Sequence, residues 1–172
     1  MDNASNATPP STRMMETGAA SDAIAAPAFI HPHYVAFVEA DPAGIAHFSR
    51  YPLWVEEAEN AYWHHHGHPH HHVENNRLHG WPRTAFTIRH LAPVYPGQTI
   101  HIALTPQLDL FRQMLTWHFR IIHPGRVDQS AHPSPWIFAR GQMQVIYATI
   151  DPLLKNSIKK HPIPPQLLAH LA

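Results

Sequence analysis

Asp41 is the acidic residue best placed for chemistry, because it opens the stretch Asp41-Pro42-Ala43-Gly44 just before a predicted helix. A helix N-terminus carries partial positive charge and backbone N–H groups that lack partners. Such a position keeps a carboxylate ionised and accepts an oxyanion, and Gly44 lets the backbone approach a ligand closely. Thioester hydrolysis needs both a carboxylate that attacks the carbonyl carbon or activates water and donors for the charge developing on oxygen. The spacing equally fits an aspartate that only caps the helix or stabilises a turn, so both interpretations stay open at this point.

A histidine-rich run at 64–72, with the sequence HHHGHPHHH, is the second feature that could do chemistry. Imidazole is a common ligand of zinc, nickel and copper, and His-rich tracts bind such metals. The run crosses a predicted helix end into a loop with Gly67 and Pro69, whereas structural sites hold their ligands in fixed geometry. We therefore predict neither a functional metal nor a cofactor, with adventitious metal binding and a plain solvated loop as the alternatives.

The bulk composition fits one globular domain of a protein that is not a nucleic-acid binder. The 172 residues carry twelve basic and twelve acidic side chains, and this balance lacks the basic excess of a nucleic-acid partner. There is no cysteine, which excludes disulfides and thiolate chemistry. No run approaches the ~18 apolar residues of a membrane span, so we expect a cytoplasmic protein with no membrane partner. We divide the chain into a disordered leader at 1–28, a domain at 29–151 and a Pro-containing C-terminal tail at 152–172.

The segment from Ser49 to His66 predicts an amphipathic helix, because its apolar residues fall on one stripe at about 100° per residue. Pro52 is tolerated only in the first turn, so the helix begins near residues 47–50, with Ser49 as its N-cap, and ends near Gly67. The apolar stripe consists of Tyr51, Trp54, Val55, Ala58, Ala61 and Tyr62. The polar side consists mostly of Glu56, Glu59, Asn60 and His64.

The other structured segments alternate with a period of two, which is typical of strands. Strands are predicted at 31–38, 84–91, 98–105, 114–122 and 136–148. Their connections are too short for helical crossovers, so the sheet should be mostly antiparallel. One helix and these strands predict an α+β fold, and apolar groups on both faces of the sheet indicate contact with another subunit.

Three stretches of the sequence together resemble a known family. They are FVEADPAGIAHFSRYPLWVEEAENAYW, GWPRTAF and LAPVYPGQTIHI, and the match extends over about residues 33–151. Their order of strand, Asp loop, helix and strands resembles the hotdog-fold acyl-CoA thioesterases of the 4-hydroxybenzoyl-CoA thioesterase type. The resemblance implies a five-stranded antiparallel sheet wrapped around one long helix. It also implies an active site at the interface of a homodimer or homotetramer.

The resemblance further implies which residues form the site. The motif aspartate of the family is the catalytic carboxylate, which here is Asp41, and the oxyanion donor seven residues on is the backbone N–H of Phe48. Gly44 shapes the loop between them. The residues expected to bind the substrate, a small acyl- or aroyl-CoA, are Ile45, His47 and Tyr51. The candidate ligands for the CoA phosphates are Arg83, Arg89, Arg112, Arg120, Arg126 and Arg140.

Two other functions remain as alternatives. The first is a hotdog protein that binds acyl-CoA without hydrolysing it. Separately, Glu39 stands two residues before Asp41, where an aspartate is common in the family; this glutamate either compensates for that aspartate or weakens the activity. A His-rich metal-handling protein is the second. Turnover of acyl-CoA, and its survival when 64–72 is deleted, would separate these functions from a thioesterase.

Overall fold

The computed structural model describes residues 26–124, 137–151, 153 and 157–171, so all but the end of the predicted leader at 1–28 lies outside the described residues. The elements in chain order are β1 (Phe29–Tyr34), α1 (Arg50–His65), β2 (His72–Glu74), β3 (Arg77–Gly80), β4 (Arg83–His90), β5 (Thr99–Asp109), β6 (Met114–Ile122), β7 (Ile137–Val145), β8 (Ala148–Ile150), β9 (Lys159–Lys160) and α2 (Pro165–Leu168). A short 3₁₀ turn covers Phe37–Glu39. No helix among these residues is long and apolar enough to cross a membrane.

The main sheet has five antiparallel strands in the spatial order β1-β5-β6-β7-β4. Side chains alternate between its two faces, so Leu115, Trp117 and Phe119 of β6 are buried on one face while His118 and Arg120 lie on the other. The predicted α+β fold with an antiparallel sheet is confirmed. Its strands lie close to the predicted segments because the period-two pattern follows directly from which face is buried.

A second, four-stranded sheet in the order β2-β3-β8-β9 corrects the prediction of a single sheet. The sequence does not signal β2, because all three of its residues are exposed and no apolar alternation marks it. β2 and β3 are joined by the two-residue turn Asn75-Asn76. Both asparagines have positive φ angles, 49° and 60°, as a type I′ hairpin turn requires.

Helix α1 packs its apolar side against the main sheet. Trp54, Val55 and Tyr62 of the predicted stripe are buried, and the ring of Tyr62 lies 4.8 Å from that of Trp117 in β6. Burial of side chains of this size stabilises the fold by about 1.5–3 kcal/mol each. The helix is sixteen residues long, Arg50–His65, as its pattern predicts.

Glu59 corrects the prediction for the polar side of α1, because this carboxylate is fully buried. Its Oε1 accepts a hydrogen bond from Trp117 Nε1 (2.8 Å), and its Oε2 accepts one from the Arg83 guanidinium (3.1 Å). Buried polar atoms need such partners, and here they are supplied by strands β6 and β4. The helix is therefore joined to the sheet by polar contacts as well as by apolar packing.

The segment 157–171 packs against the same core. β9 pairs with β8, and the side chains of Ile163, Leu167 and Leu171 are buried. The hydroxyl of Tyr62 donates a hydrogen bond to the carbonyl of His170. The segment 157–171 thus covers part of the surface of helix α1.

The two edges of the main sheet differ in their prolines. The N–H of Val35 donates to the carbonyl of Gln98 (2.9 Å), and the alternation of an antiparallel pair then places the nitrogen of Pro32 on the outer side of β1. Proline has no N–H to offer there, which suits an edge position. β4, at the other edge, contains no proline.

Candidate active site

The loop that carries Asp41 is a closed turn between β1 and α1. Asp41 donates its backbone N–H to the carbonyl of Ile45 (2.8 Å) and accepts the N–H of Gly44 (2.9 Å). A single bridge pairs Ala40 with Ala46 at the base of the loop. Gly44 has a φ of 77°, and a Cβ at this position would meet no atom within 4 Å. Glycine is therefore required here by backbone conformation rather than by lack of space.

The side chain of Asp41 is half-buried and is oriented by its own loop. Its Oδ1 accepts the N–H of Ala43 (2.8 Å), an Asx-turn that fixes the carboxylate. Among the described residues, Oδ2 has no hydrogen-bond partner. One carboxylate oxygen is thus held by the protein, and the other is available to a ligand or to water.

Asp41 lines a groove of about 440 Å³ beside the start of α1. Phe48 and Tyr51 come from the helix side, and the segment 90–93 after β4 forms the opposite wall. The rings of Tyr51 and His90 pack edge to face, with their centroids 4.5 Å apart. Burial raises the pKa of Tyr51. The groove is therefore an apolar, aromatic slot with one carboxylate at its end.

One backbone N–H just before α1 is available as a hydrogen-bond donor. Within the described residues, the N–H of Phe48 has no acceptor, and the Phe48 side chain is 69% exposed. Ser49 occupies the N-cap position, but its hydroxyl lies 2.8 Å from His47 Nδ1 instead of capping the helix, which corrects the predicted role of that hydroxyl. An unpaired N–H at a helix start is the kind of donor that an oxyanion needs.

Glu39 connects the Asp41 loop to the helix. Its Oε1 accepts the indole N–H of Trp54 (2.7 Å), and its Oε2 accepts the N–H of Ala36 (2.8 Å) and lies 3.2 Å from His33 Nε2. Burial raises the pKa of Glu39, but the hydrogen bonds from Trp54, Ala36 and His33, together with the charge of His33, outweigh it. The net pKa therefore lies below the usual 4.5. The carboxylate is ionised at neutral pH and acts as a structural anchor.

The structure brings four of the six predicted site residues together in the groove: Asp41, Ile45, Phe48 and Tyr51. Gly44 shapes the loop but does not line the groove. His47 does not line it either, because its ring packs on that of Phe48 at 4.5 Å and its Nδ1 contacts Ser49. The contact of His47 with substrate stays a prediction.

The wall formed by residues 90–93 was missed by reasoning from the sequence. It lies about forty residues beyond the helix start, and no local pattern marks it as part of a site. A backbone contact joins this segment to the Asp41 loop, in which Ala46 donates to the carbonyl of Val94 (2.8 Å). The one available signal was that this wall lies in the stretch LAPVYPGQTIHI, which resembles the thioesterases.

Known structures share this architecture. The chain is similar to a 1,4-dihydroxy-2-naphthoyl-CoA thioesterase from Synechocystis, with a TM-score of 0.64 and 18% identity over 83% of this chain and 94% of that one. A gentisyl-coenzyme A thioesterase gives a TM-score of 0.63 and 19% identity over 84% and 100% of the two chains. An aspartate-to-asparagine variant of 4-hydroxybenzoyl-CoA thioesterase, in complex with 4-hydroxybenzoyl-CoA, gives 0.66 and 13% over 84% and 98%. No protein-family model matches the sequence, and no curated protein matches it.

These structures are hotdog-fold thioesterases. The chain has the hotdog fold. At 13% to 19% identity the likeness is one of architecture, so the chemistry of this chain has to be argued from its own groove.

Besides Asp41, helix α1 carries another carboxylate, that of Glu59, which has to be considered as a catalytic group. Glu59 is fully buried, and its oxygens are occupied by Trp117 and Arg83, with His70 Nε2 at 3.4 Å. A substrate carbonyl has no access to it in this arrangement. Asp41 is the carboxylate that a ligand in the groove can reach.

The arginines considered for the CoA phosphates do not line the Asp41 groove within the described part of the chain. Arg89, Arg140 and Arg120 are neighbours in the register of β4, β7 and β6 and form a row on the face of the hotdog sheet opposite to α1. Arg83 contacts Glu56 and Glu59, and Arg112 lies near Asp109. Arg126 lies outside the described residues.

Proposed function

We propose that this protein is an acyl-CoA thioesterase that hydrolyses a small acyl- or aroyl-CoA to the free acid and CoA. The observation that carries the proposal is the groove at the start of helix α1, which is lined by both Asp41 and Phe48. Among the described residues, one carboxylate oxygen of Asp41 and the backbone N–H of Phe48 have no hydrogen-bond partner. These are the two functions that thioester hydrolysis requires. The proposed enzyme needs no cofactor and acts in the cytoplasm.

The reaction follows from the chemistry of these two groups. The thioester carbonyl oxygen accepts the N–H of Phe48, whose position beside the positive end of the helix dipole favours the developing negative charge. Asp41 either attacks the carbonyl carbon, forming an anhydride that water then hydrolyses, or removes a proton from the attacking water. In both routes the C–S bond breaks, and the sulfur of CoA leaves with a proton that comes from water. Asp41 ends each cycle ionised.

The groove lining supports an acyl group that is compact and preferably aromatic. Phe48, Tyr51 and His90 present rings, and Ile45 and Leu91 present aliphatic surface. Aromatic groups pack well in edge-to-face and offset geometry in such a slot. The similar thioesterases named above act on 1,4-dihydroxy-2-naphthoyl-CoA, gentisyl-CoA and 4-hydroxybenzoyl-CoA, which all carry an aromatic acyl group.

The proposal includes assembly into a homodimer or homotetramer that completes the groove. Phe37 is 87% exposed and Val38 is 76% exposed, and both directly precede the Asp41 loop. Tyr34, at the end of β1, is exposed as well. A group of large apolar side chains in water at one place favours burial against another protein surface. A second copy of the chain at this place would cover the open side of the groove.

A turnover assay with a matched pair of variants tests the function. Free thiol released from aryl, short-chain and long-chain CoA thioesters is measured for the wild type, Asp41→Asn and Asp109→Asn. Asp109 is the control because it also accepts a backbone N–H, from Arg112, but lies at the end of β5 away from the groove. We expect Asp41→Asn to lower kcat at least about a hundredfold while Asp109→Asn keeps it.

Binding is measured in parallel with a thioether analogue of the substrate that resists hydrolysis. Retained binding and lost turnover in Asp41→Asn support the proposed role. A wild type that binds acyl-CoA and releases no thiol is instead a binding protein without hydrolytic activity. Full turnover in Asp41→Asn contradicts the assignment of the carboxylate.

A further inference from the structure

Three potential metal ligands meet on one face of the β2–β3 hairpin, in a cavity that does not include the Asp41 groove. The ligand atoms of His72, Glu74 and His79 all lie within 4.8 Å of one another. His79 Nε2 is 3.9 Å from Glu74 Oε2, and the imidazole rings of His72 and His79 stack at 4.8 Å. Two of these residues, Glu74 and His79, lie beyond the histidine-rich run of the sequence.

The hairpin itself determines this arrangement. His72 and His79 are directly opposed in the antiparallel register of β2 and β3, so their side chains share one face. Glu74 is two residues from His72 on the same strand and therefore lies on that face too. The tight turn Asn75-Asn76 fixes the register. These ligands are thus held by regular backbone, unlike the loop that the sequence alone suggested.

The surroundings of His79 are those of a metal ligand. Its Nδ1 lies 3.4 Å from the hydroxyl of Tyr147, so its Nε2, the atom near Glu74, is left for a metal. Glu74 pairs with His79 rather than with Arg77, its neighbour across the described hairpin.

We propose that His72, Glu74 and His79 bind one divalent transition-metal ion, with zinc as the probe. Two imidazoles and one carboxylate are a zinc ligand set, and a fourth position is filled by water or by one of the other histidines that line the cavity. Those histidines are His68, His70 and His161. Tetrahedral zinc places its ligand atoms about 3.3 Å apart, so the three side chains draw together by rotation when the ion binds.

Zinc binding by the full chain tests the proposal without any acyl-CoA, so its outcome is independent of the thioesterase assignment. Isothermal titration in the presence of a competing chelator gives the stoichiometry and Kd for the wild type, Glu74→Gln, His79→Ala and His71→Ala. His71 is the matched control, since it adjoins His72 in the run but does not line the cavity. Far-UV circular dichroism and metal-free Tm values check that each variant is folded.

We expect one tight site in the wild type, with a Kd raised at least about tenfold by Glu74→Gln and by His79→Ala and unchanged by His71→Ala. X-ray absorption of the zinc complex should show two imidazoles and one carboxylate oxygen. Unaltered binding by folded Glu74→Gln overturns the proposal. An equal loss in His71→Ala also overturns it, because binding would then belong to the histidine-rich run as a whole.

Discussion

The indole N–H of Trp54 donates a 2.7 Å hydrogen bond to the carboxylate of Glu39, two residues before Asp41. The backbone carbonyl of Glu39 also accepts the N–H of His47, which lies beyond the Asp41 loop. Glu39 therefore contacts both ends of the Asp41 loop and, through Trp54, the first turns of helix α1. The placement of Asp41 beside the helix start depends on this contact, although Glu39 does not line the groove.

Glu39→Gln should change the pH dependence of stability. The pKa of Glu39 is lower in the folded chain than the ordinary 4.5, so its carboxylate stabilises the fold fully above about pH 4.5, and this contribution is lost as the pH falls through the lower folded pKa. Hydrogen bonds to a charged group contribute about 1.5–3 kcal/mol. Urea unfolding at several pH values should therefore show a difference in the free energy of unfolding between the wild type and the variant. This difference should be largest near neutral pH and become smaller below about pH 4.5.

Glu57→Gln is the control for this experiment. Glu57 contacts His31 and His33 in the same group of side chains, but its own side chain is 50% exposed. An exposed pair of this kind contributes less than about 1 kcal/mol. If both variants lose the same stability at every pH, the proposed anchoring by Glu39 is wrong.

Gly44→Ala and Gly67→Ala form a second matched pair. Both glycines have similar positive φ angles, 77° and 76°, with open space around the missing Cβ. Alanine in this conformation costs about 1–2 kcal/mol, so both variants should lose a similar amount of stability in chemical unfolding. Only Gly44→Ala should also lower kcat/KM, because the strain of an alanine with positive φ would then lie in the Asp41 loop. Equal kcat/KM values for the two variants would count against a role of the loop conformation in catalysis.

Phe37→Ser should weaken subunit assembly. Phe37 lies 87% exposed beside the groove, and its burial against a second copy of the chain would contribute about 1.5–3 kcal/mol per side chain. Phe111→Ser is the control, because Phe111 is 98% exposed in the turn between β5 and β6. Sedimentation equilibrium should show a raised dissociation constant for Phe37→Ser alone. A dimer unaffected by Phe37→Ser would place the interface elsewhere.

Glu59→Ala should be the most destabilising of these substitutions. It leaves the buried indole N–H of Trp117 without an acceptor and opens a cavity between helix and sheet, which together cost about 2–5 kcal/mol. Glu56→Ala removes the neighbouring, more exposed contact to Arg83 and should cost less than about 1 kcal/mol. Thermal unfolding of both variants measures the difference. Similar Tm values for Glu59→Ala and Glu56→Ala would show that Glu59 contributes no more to stability than an exposed ion pair.

The sequence predicts those parts of the molecule that depend on local pattern. Helix α1 follows from the stripe of Trp54, Val55 and Tyr62 and from Pro52 in its first turn, and the main strands follow from their alternation. Burial of Glu59 could not be predicted, because its partners Trp117 and Arg83 come from strands that meet the helix only in the folded chain.

The candidate sites likewise have parts that can be predicted from the sequence and parts that cannot. Asp41 and the helix start are neighbours along the chain, so their proximity is visible in the sequence. The wall at residues 90–93 and the metal-ligand group with His79 are assembled by tertiary contacts and by a polar hairpin without apolar alternation. For those parts, the decisive information is which strand lies next to which.

Pro32 also limits how two subunits could join their sheets. A strand added at β1 would meet a position with no N–H to donate, so the ladder of main-chain hydrogen bonds would be interrupted at its centre. β4 contains no proline, so each N–H that it directs outward can donate to an added strand. If two chains form one continuous ten-stranded sheet, we therefore expect their β4 strands to pair with each other. The two β1 strands would then be the edge strands of that sheet.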